Sequence, residues 1–474
     1  MERPINPRQV LALAPWDKLR EAYRTGEFLE VEKALQKGPP DSQIERSFLD
    51  PFHVVGLPSN GIKPSLGHLP EDHVLPEYPR LVIALDLQPS DARPLEETRR
   101  LILNLYAAVR GGRLGRGATV GADVAIDPAE HWCPGEASYP LFGDRDAAFR
   151  LMQADDLGAL ELPGERRVTL VFVDTGIPHA LLPPVGTLRG WQIDPNGANA
   201  GLALRIPGMP LTPHGNMVAR NASSVAKTGQ NTPGVRVLDC PLVPDGITNL
   251  TRFMSTAVAA FIAILYTIEQ EGKADEAWVL CNAWGVFNPS EEFPAGSYSK
   301  DPLHPLAHEL VLANAMGVDV VFAAGNCGRF CPNPRCDSDH TGPGRSVHGA
   351  NAHPDVLTVG AVRNDALWLG YSGQGPGPAT LGYAKPNLCA PSQFADVGNA
   401  FNANTGTSAA CGLAAGAVAL LRTRWGASQV PPGTLRGVLC GTAWMPGPTS
   451  GWNDRLGFGV LNLAAAARHL DAGT

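Results

Sequence analysis

The chain has 474 residues, 44% hydrophobic and 18% charged. This is an ordinary globular composition, long enough for two domains or for one large domain with an extension, and unlike that of a disordered chain. Lys and Arg number 38 against 46 Asp and Glu, a net charge of −8, which argues against nucleic-acid or anionic-membrane binding driven by bulk charge.

Residues 1–38 carry two helical patterns, one on Trp16, Leu19 and Tyr23 and one on Phe28, Val31 and Leu35. Gly38-Pro39-Pro40 ends them, and the Pro/Gly-rich stretch 39–80 reads as an extended connector. Leu81–Leu87 is expected to be a strand, Leu95–Arg110 a helix and Ala118–Ile126 a strand. No apolar segment follows Met1-Glu2-Arg3-Pro4, so no secretion signal is read there. The longest apolar runs, Met254–Ile268 and Ala409–Leu421, are shorter than the roughly 20 residues of a membrane span and are expected to be buried helices. The expected location is the cytoplasm, with no membrane partner.

From about residue 150 the pattern changes. Continuous apolar runs of buried-strand length appear at Val168–Val173, Val235–Leu238, Ala277–Cys281, Val318–Phe322 and Val356–Val362. Helical patterns lie between or after them at Arg252–Glu271, His304–Met316 and Ser408–Arg424. Such alternation predicts an α/β fold: a mostly parallel sheet with helices on both faces, its sites at the carboxyl ends of strands. Residues 1–148 are then an N-terminal α/β extension and 149–474 a second domain.

Four segments sit where such sites form. Asp174, in Val173-Asp174-Thr175-Gly176, ends a buried strand and could orient a histidine. His214, in Thr212-Pro213-His214-Gly215-Asn216-Met217-Val218-Ala219, opens a helical run of small residues and titrates in the range a general base needs. Asn326, in Ala323-Ala324-Gly325-Asn326, follows a strand and could donate its amide to an oxyanion. Ser408, in Asn404-Thr405-Gly406-Thr407-Ser408, lies in the first turn of a helix so rich in Ala, Gly and Leu that it must be buried. Alone, each has a structural reading: a turn Asp, a packed His, an Asn in a left-handed turn, an N-cap Ser.

Together, in the order Asp, His, Asn, Ser, they resemble the signature set of the subtilases, the subtilisin-like serine peptidases. The family's Asp-Thr-Gly, His-Gly-x-x-Val-Ala, Ala-Ala-Gly-Asn and Gly-Thr-Ser-x-Ala motifs match at Asp174, His214, Asn326 and Ser408. Asn282-Ala283-Trp284-Gly285, Tyr371-Ser372-Gly373, Lys385-Pro386-Asn387 and Gly457-Phe458-Gly459 resemble further family segments, so the likeness covers about 150–470. It implies a serine endopeptidase with Ser408 as nucleophile, His214 as general base, Asp174 orienting it and Asn326 assisting the oxyanion hole. Ala283, Trp284, Gly285, Ala324 and Gly325 would line the cleft for a polypeptide substrate, with no cofactor required. Three departures stand out. Asn216-Met217 replaces the usual Thr-His and is expected to flank the site and bear on substrate fit. Ala283 replaces a Ser, and Cys411-Gly412 replaces Pro-His.

Cys327, Cys331, Cys336 and His340 follow Asn326 directly. They could hold a structural zinc; a disulfide between two of the cysteines, or unlinked thiols, are the competing readings. The N-terminal extension is either a removable, inhibitory propeptide of the kind many subtilases carry or a stable domain that binds a regulator. Two other functions compete with a general endopeptidase: a catalytically silent binding protein on this fold, and a peptidase dedicated to one partner protein. An unrelated α/β hydrolase is disfavoured, because Asp174 and His214 precede Ser408.

Overall fold

The computed structural model describes residues 8–13, 53–55, 81–86, 94–114, 117–128, 141–155, 157, 160, 162–177, 185–187, 214–226, 235–242, 254–272, 276–289, 292, 297–396, 399–448 and 450–473. The helical patterns expected at Trp16–Tyr23 and Phe28–Leu35 lie outside the described residues.

In chain order, β1 (Arg8–Leu13), β2 (His53–Val55) and β3 (Leu81–Asp86) precede α1 (Pro94–Arg110) and β4 (Thr119–Ala122). They form an antiparallel sheet of order β2-β3-β1-β4. The expected strand–helix–strand of residues 81–126 is therefore present. It is joined by β1, which sequence periodicity did not reveal. A two-residue strand, β5 (Asp127–Pro128), and α2 (Arg145–Leu151) follow.

The main sheet is built from β6 (Val168–Asp174), β7 (Val185–Thr187), β8 (Val235–Pro241), β9 (Ala277–Asn282), β11 (Asp319–Ala323), β12 (Leu357–Val362) and β13 (Leu388–Pro391), with β10 (Trp284–Gly285) lying outside it. Its order is β13-β12-β11-β9-β6-β8-β7, and every pairing is parallel. All seven residues of β6 are buried, as expected of a strand covered on both faces, where no side chain needs to be polar.

On one face lie α3 (His214–Ala226), α6 (Gly406–Arg422), α7 (Pro432–Thr442) and α8 (Leu463–Gly473). Helix α6 runs through the core with every residue buried, as its lack of a polar side requires. Its C-terminal charge is neutralised: Arg422 grips Asp319 through Nε–Oδ2 (2.5 Å) and Nη2–Oδ1 (2.9 Å). On the other face lie α4 (Met254–Glu271) and α5 (Pro305–Ala315).

Helix α4 is apolar almost all round, so one covering layer cannot bury it. The N-terminal sheet supplies the second layer. Ala12, Ala122, Val124 and Ile126 join the same apolar cluster as α4 and α5. Asp123 accepts from the Ser255 backbone N–H (2.6 Å) and hydroxyl (3.0 Å), and the Met254 N–H donates to the Val124 carbonyl (2.8 Å). The His304 ring, at the N-terminus of α5, donates from Nε2 to the Ala122 carbonyl (3.0 Å) while Nδ1 accepts the Leu306 N–H (3.1 Å). Among the described residues, no helix is long and apolar enough to cross a membrane.

Candidate active site

Asp174 ends β6 and His214 opens α3, two segments locked together by short-range geometry. The Thr175 hydroxyl accepts the Gly215 N–H at 2.9 Å, one of the first-turn donors that a helix leaves unpaired. A Cβ at Gly215 would lie 2.3 Å from the Gly176 carbonyl oxygen, so only glycine lets the helix start here. This contact places His214 Nδ1 2.6 Å from Asp174 Oδ1, both side chains buried. The carboxylate is an acceptor only, so Nδ1 carries the hydrogen and Nε2 is left with a lone pair. Nε2 lies 3.0 Å from Ser408 Oγ. Residues 174, 214 and 408, brought from three separate elements, thus form one hydrogen-bonded line. The Ser408 hydroxyl has a second acceptor in reach, the Ala283 carbonyl at 3.2 Å.

Ser408 is the third residue of α6, after the N-cap Thr405. Three contacts fix this end of the helix. The Thr407 N–H (3.0 Å) and hydroxyl (2.9 Å) both donate to Asn326 Oδ1. These two donors identify the oxygen end of the amide and turn Nδ2 the other way. The Thr405 N–H is bonded to Met217 Sδ (3.3 Å). Tyr371 donates to Ser392 Oγ (3.0 Å), which donates to the Gly406 carbonyl (2.6 Å). Met217, expected to flank the site and bear on substrate fit, is 3% exposed and meets the N-terminus of Ser408's helix from inside. Thr407 and Thr175 were missed as supporting residues, and Met217 was singled out only as a departure from the family pattern: each acts on a group far away in sequence.

Helices α3 and α6 approach closely enough to align His214 with Ser408 because α6 carries glycines at the crossing. A Cβ at Gly412 would meet the Val218 carbonyl oxygen at 2.7 Å, and one at Gly416 the Ala222 carbonyl oxygen at 2.3 Å. The departure at Gly412 thus has a packing reason.

Of the expected cleft residues, Ala283 and Trp284 are buried, and the Trp284 ring packs edge-on against Phe322 at 5.1 Å. Trp284 and Gly285 offer backbone. They form β10, which pairs antiparallel with β5, Trp284 opposite Pro128 and Gly285 opposite Asp127. Asn351 Nδ2 braces this strand from behind through the Trp284 (3.0 Å) and Ala323 (2.8 Å) carbonyls. Ala324 and Gly325 continue β11, their N–H and carbonyl used by Val359 (2.8 Å) and Gly373 (2.9 Å).

The zinc reading is corrected. Cys327 and Cys336 are joined as a disulfide, so neither has a thiolate to give a metal. Cys331 and His340 are then too few for a tetrahedral structural site, and His340 Nδ1 faces Asp337 Oδ2 at 3.9 Å. Among the described residues, no three such side chains gather at one point.

With this geometry in view, a sequence model described as the subtilase family matches residues 168–459. Solved structures similar to the chain include MycP1 from Mycobacterium smegmatis (20% identity over 73% of this chain and 89% of that one, TM-score 0.44). MycP1 with its N-terminal propeptide removed (19%, 68% and 96%, 0.44) and the prenylagaramide maturation protease PagA (18%, 67% and 98%, 0.44) are also similar. No curated protein matches.

Proposed function

The chain belongs to the subtilase family and is a serine peptidase, and from that premise we propose that it is an endopeptidase working through Asp174, His214, Ser408 and Asn326. The observation that carries this reading is the continuous line Asp174 Oδ1–His214–Ser408 Oγ, with steps of 2.6 and 3.0 Å. Ser408 Oγ attacks the scissile carbonyl carbon as its proton passes to His214 Nε2. The buried Asp174 carboxylate holds the ring and stabilises the imidazolium. The carbonyl oxygen becomes an oxyanion, which accepts from the Ser408 N–H in the open first turn of α6 and from Asn326 Nδ2, the end of the amide that Thr407 does not hold. Collapse expels the amine with the His214 proton. Water then repeats the sequence on the acyl-enzyme.

A polypeptide substrate would lie along β10 as an added strand, where β5 now lies. The N-terminal extension therefore fits an intramolecular inhibitor: its sheet is anchored on α4 and α5, and Asp127–Pro128 takes the position of a substrate strand, next to the Ala283 carbonyl that Ser408 touches. Cleavage between residues 128 and 141 would turn this strand into part of a separable fragment, and the cleft would be freed when that fragment leaves.

Intact mass before and after a fluorophosphonate tests the mechanism. One adduct is expected on the wild type and none on Ser408→Ala. No adduct either on the full chain or on a chain beginning at residue 149 would overturn the endopeptidase reading and leave a fold kept for binding. The starting masses show in addition whether only the wild type trims its own N-terminal part.

A further inference from the structure

The loop closed by the Cys327–Cys336 disulfide begins at the residue after Asn326 and carries an exposed pair, Arg329 and Phe330. Phe330 is 62% exposed, and Leu367, 58% exposed, stands beside Trp368 in the chain. The Phe330 and Trp368 rings meet edge to face at 6.1 Å. The Arg455 guanidinium lies 5.6 Å from the Phe330 ring centre and 5.1 Å from that of Trp368, and Arg329 lies 5.6 Å from Phe330. Elsewhere on the domain, arginines such as Arg363 and Arg422 hold carboxylates. Among the described residues, Arg329 and Arg455 hold none. The nearby carboxylate of Asp454 is engaged by Gln374 Nε2 at 3.3 Å.

This patch is built on a fixed base. The Gly328 and Phe330 N–H groups donate to the Tyr371 (2.7 Å) and Gly370 (3.2 Å) carbonyls, and the Arg329 N–H donates to Gln374 Oε1 (3.1 Å). Two cations without an ion-pair partner, set over the exposed Phe330 ring and the half-buried Trp368 ring, have the residue types of a binding hot spot. Arg329 lies three residues beyond Asn326 in the chain, on the loop that the disulfide closes.

We propose that Arg329, Phe330, Trp368 and Arg455 form an exosite for an acidic, aromatic- or aliphatic-containing segment of the polypeptide substrate, outside the cleft. This rests on the endopeptidase reading above. Charge selects the partner: on a molecule of net charge −8, an acidic segment is repelled in general and drawn to this cationic patch. The guanidiniums would take its carboxylates, and the exposed Phe330 and Leu367 its apolar side chains.

Fluorescence anisotropy on full-length Ser408→Ala, which needs no catalysis, tests the exosite separately from the mechanism. The probe is a short fluorescein-labelled peptide repeating Glu-Asp-Phe-Glu-Leu-Asp. Binding is expected to weaken at least about tenfold with added Arg329→Glu/Arg455→Glu, and to weaken with salt. A peptide with Lys in place of each acid is expected to bind the charge-reversed variant better than the parent, a gain that misfolding cannot produce. Absence of peptide binding to the parent, or equal affinity for both proteins, would overturn the proposal. So would a single-stranded RNA of matched length that binds more tightly and is lost with the same two arginines.

Discussion

Removing the Thr407 hydroxyl would be felt at Asn326. Thr407→Val leaves the backbone N–H on Oδ1 but deletes the 2.9 Å bond, so the amide loses one of its two clamps. Turnover is expected to fall roughly tenfold, against the roughly 10²–10³ expected for Asn326→Ala, in both cases with KM changed far less than kcat. Equal kcat for wild type and Thr407→Val would show that the clamp is idle. At this scale Asp174, His214, Asn326 and Ser408 were legible only together, through the order and motifs that resemble the subtilase set; alone, each had a structural reading. Their supports were not legible. Met217 occupies a position where the family pattern has histidine, and only the fold shows its sulfur against the Thr405 N–H, 188 residues away.

Among the elements, the crossing of α3 and α6 decides whether the site is assembled. Gly416→Ala would put a methyl group 2.3 Å from the Ala222 carbonyl oxygen, backbone that cannot rotate away, so the helices must separate. A loss on the order of 1–3 kcal/mol is expected, seen as a lower melting temperature, with reduced fluorophosphonate labelling of Ser408. An unchanged melting temperature would mean that the helices have slack at this contact. Most of the strands and helices that were expected are found within a residue or two, because buried parallel strands read as unbroken apolar runs: Val168–Val173 was expected and Val168–Asp174 is found. Val235–Leu238 extends to Pro241, and β7, β13, α7 and α8 were not expected. The three clustered cysteines were not legible. Spacing brings sulfurs near one another without saying whether they share a metal or a bond. The all-apolar α4 was read as buried, yet the identity of its second cover, β1 and β3, required the long-range pairing of residues 8–13 with 81–86.

For the molecule as a whole, acid is the weak direction. Burial lowers His304 and His348 to about 4 and His353 to about 3, so these rings stay neutral when folded. Unfolded, they take up protons near the ordinary value of about 6.5. The unfolded chain thus binds more protons, and stability falls as pH drops below about 6.5, by roughly 3 kcal/mol each for His304 and His348 by the time pH 4 is reached. Burial raises Glu269 and Glu292 to about 7. Their contribution has the opposite sign, present below the unfolded value and lost as pH rises through 7. The melting temperature of Ser408→Ala should therefore peak near about pH 6.5 and fall most steeply below about 4.5. A flat profile between pH 4 and 5 would contradict this. Since His304 bonds to Ala122 across the two parts of the chain, some of that loss should register as separation of the N-terminal sheet from α4 and α5.

The pairing of β5 with β10 also sets a matter of dosage. If β5 acts as the proposed inhibitor, then while residues 129–140 remain intact it is present at an effective concentration on the order of millimolar, whatever the amount of protein in the tube. Once the linker is cut, that concentration falls to the true molar amount of the fragment. Nicked protein should therefore gain peptidase activity per molecule on dilution, and intact protein should not. On the inhibitor reading, the same cut would leave the enzyme silent in a crowded compartment and active in a spacious one, so that volume, as much as proteolysis, would decide when it works.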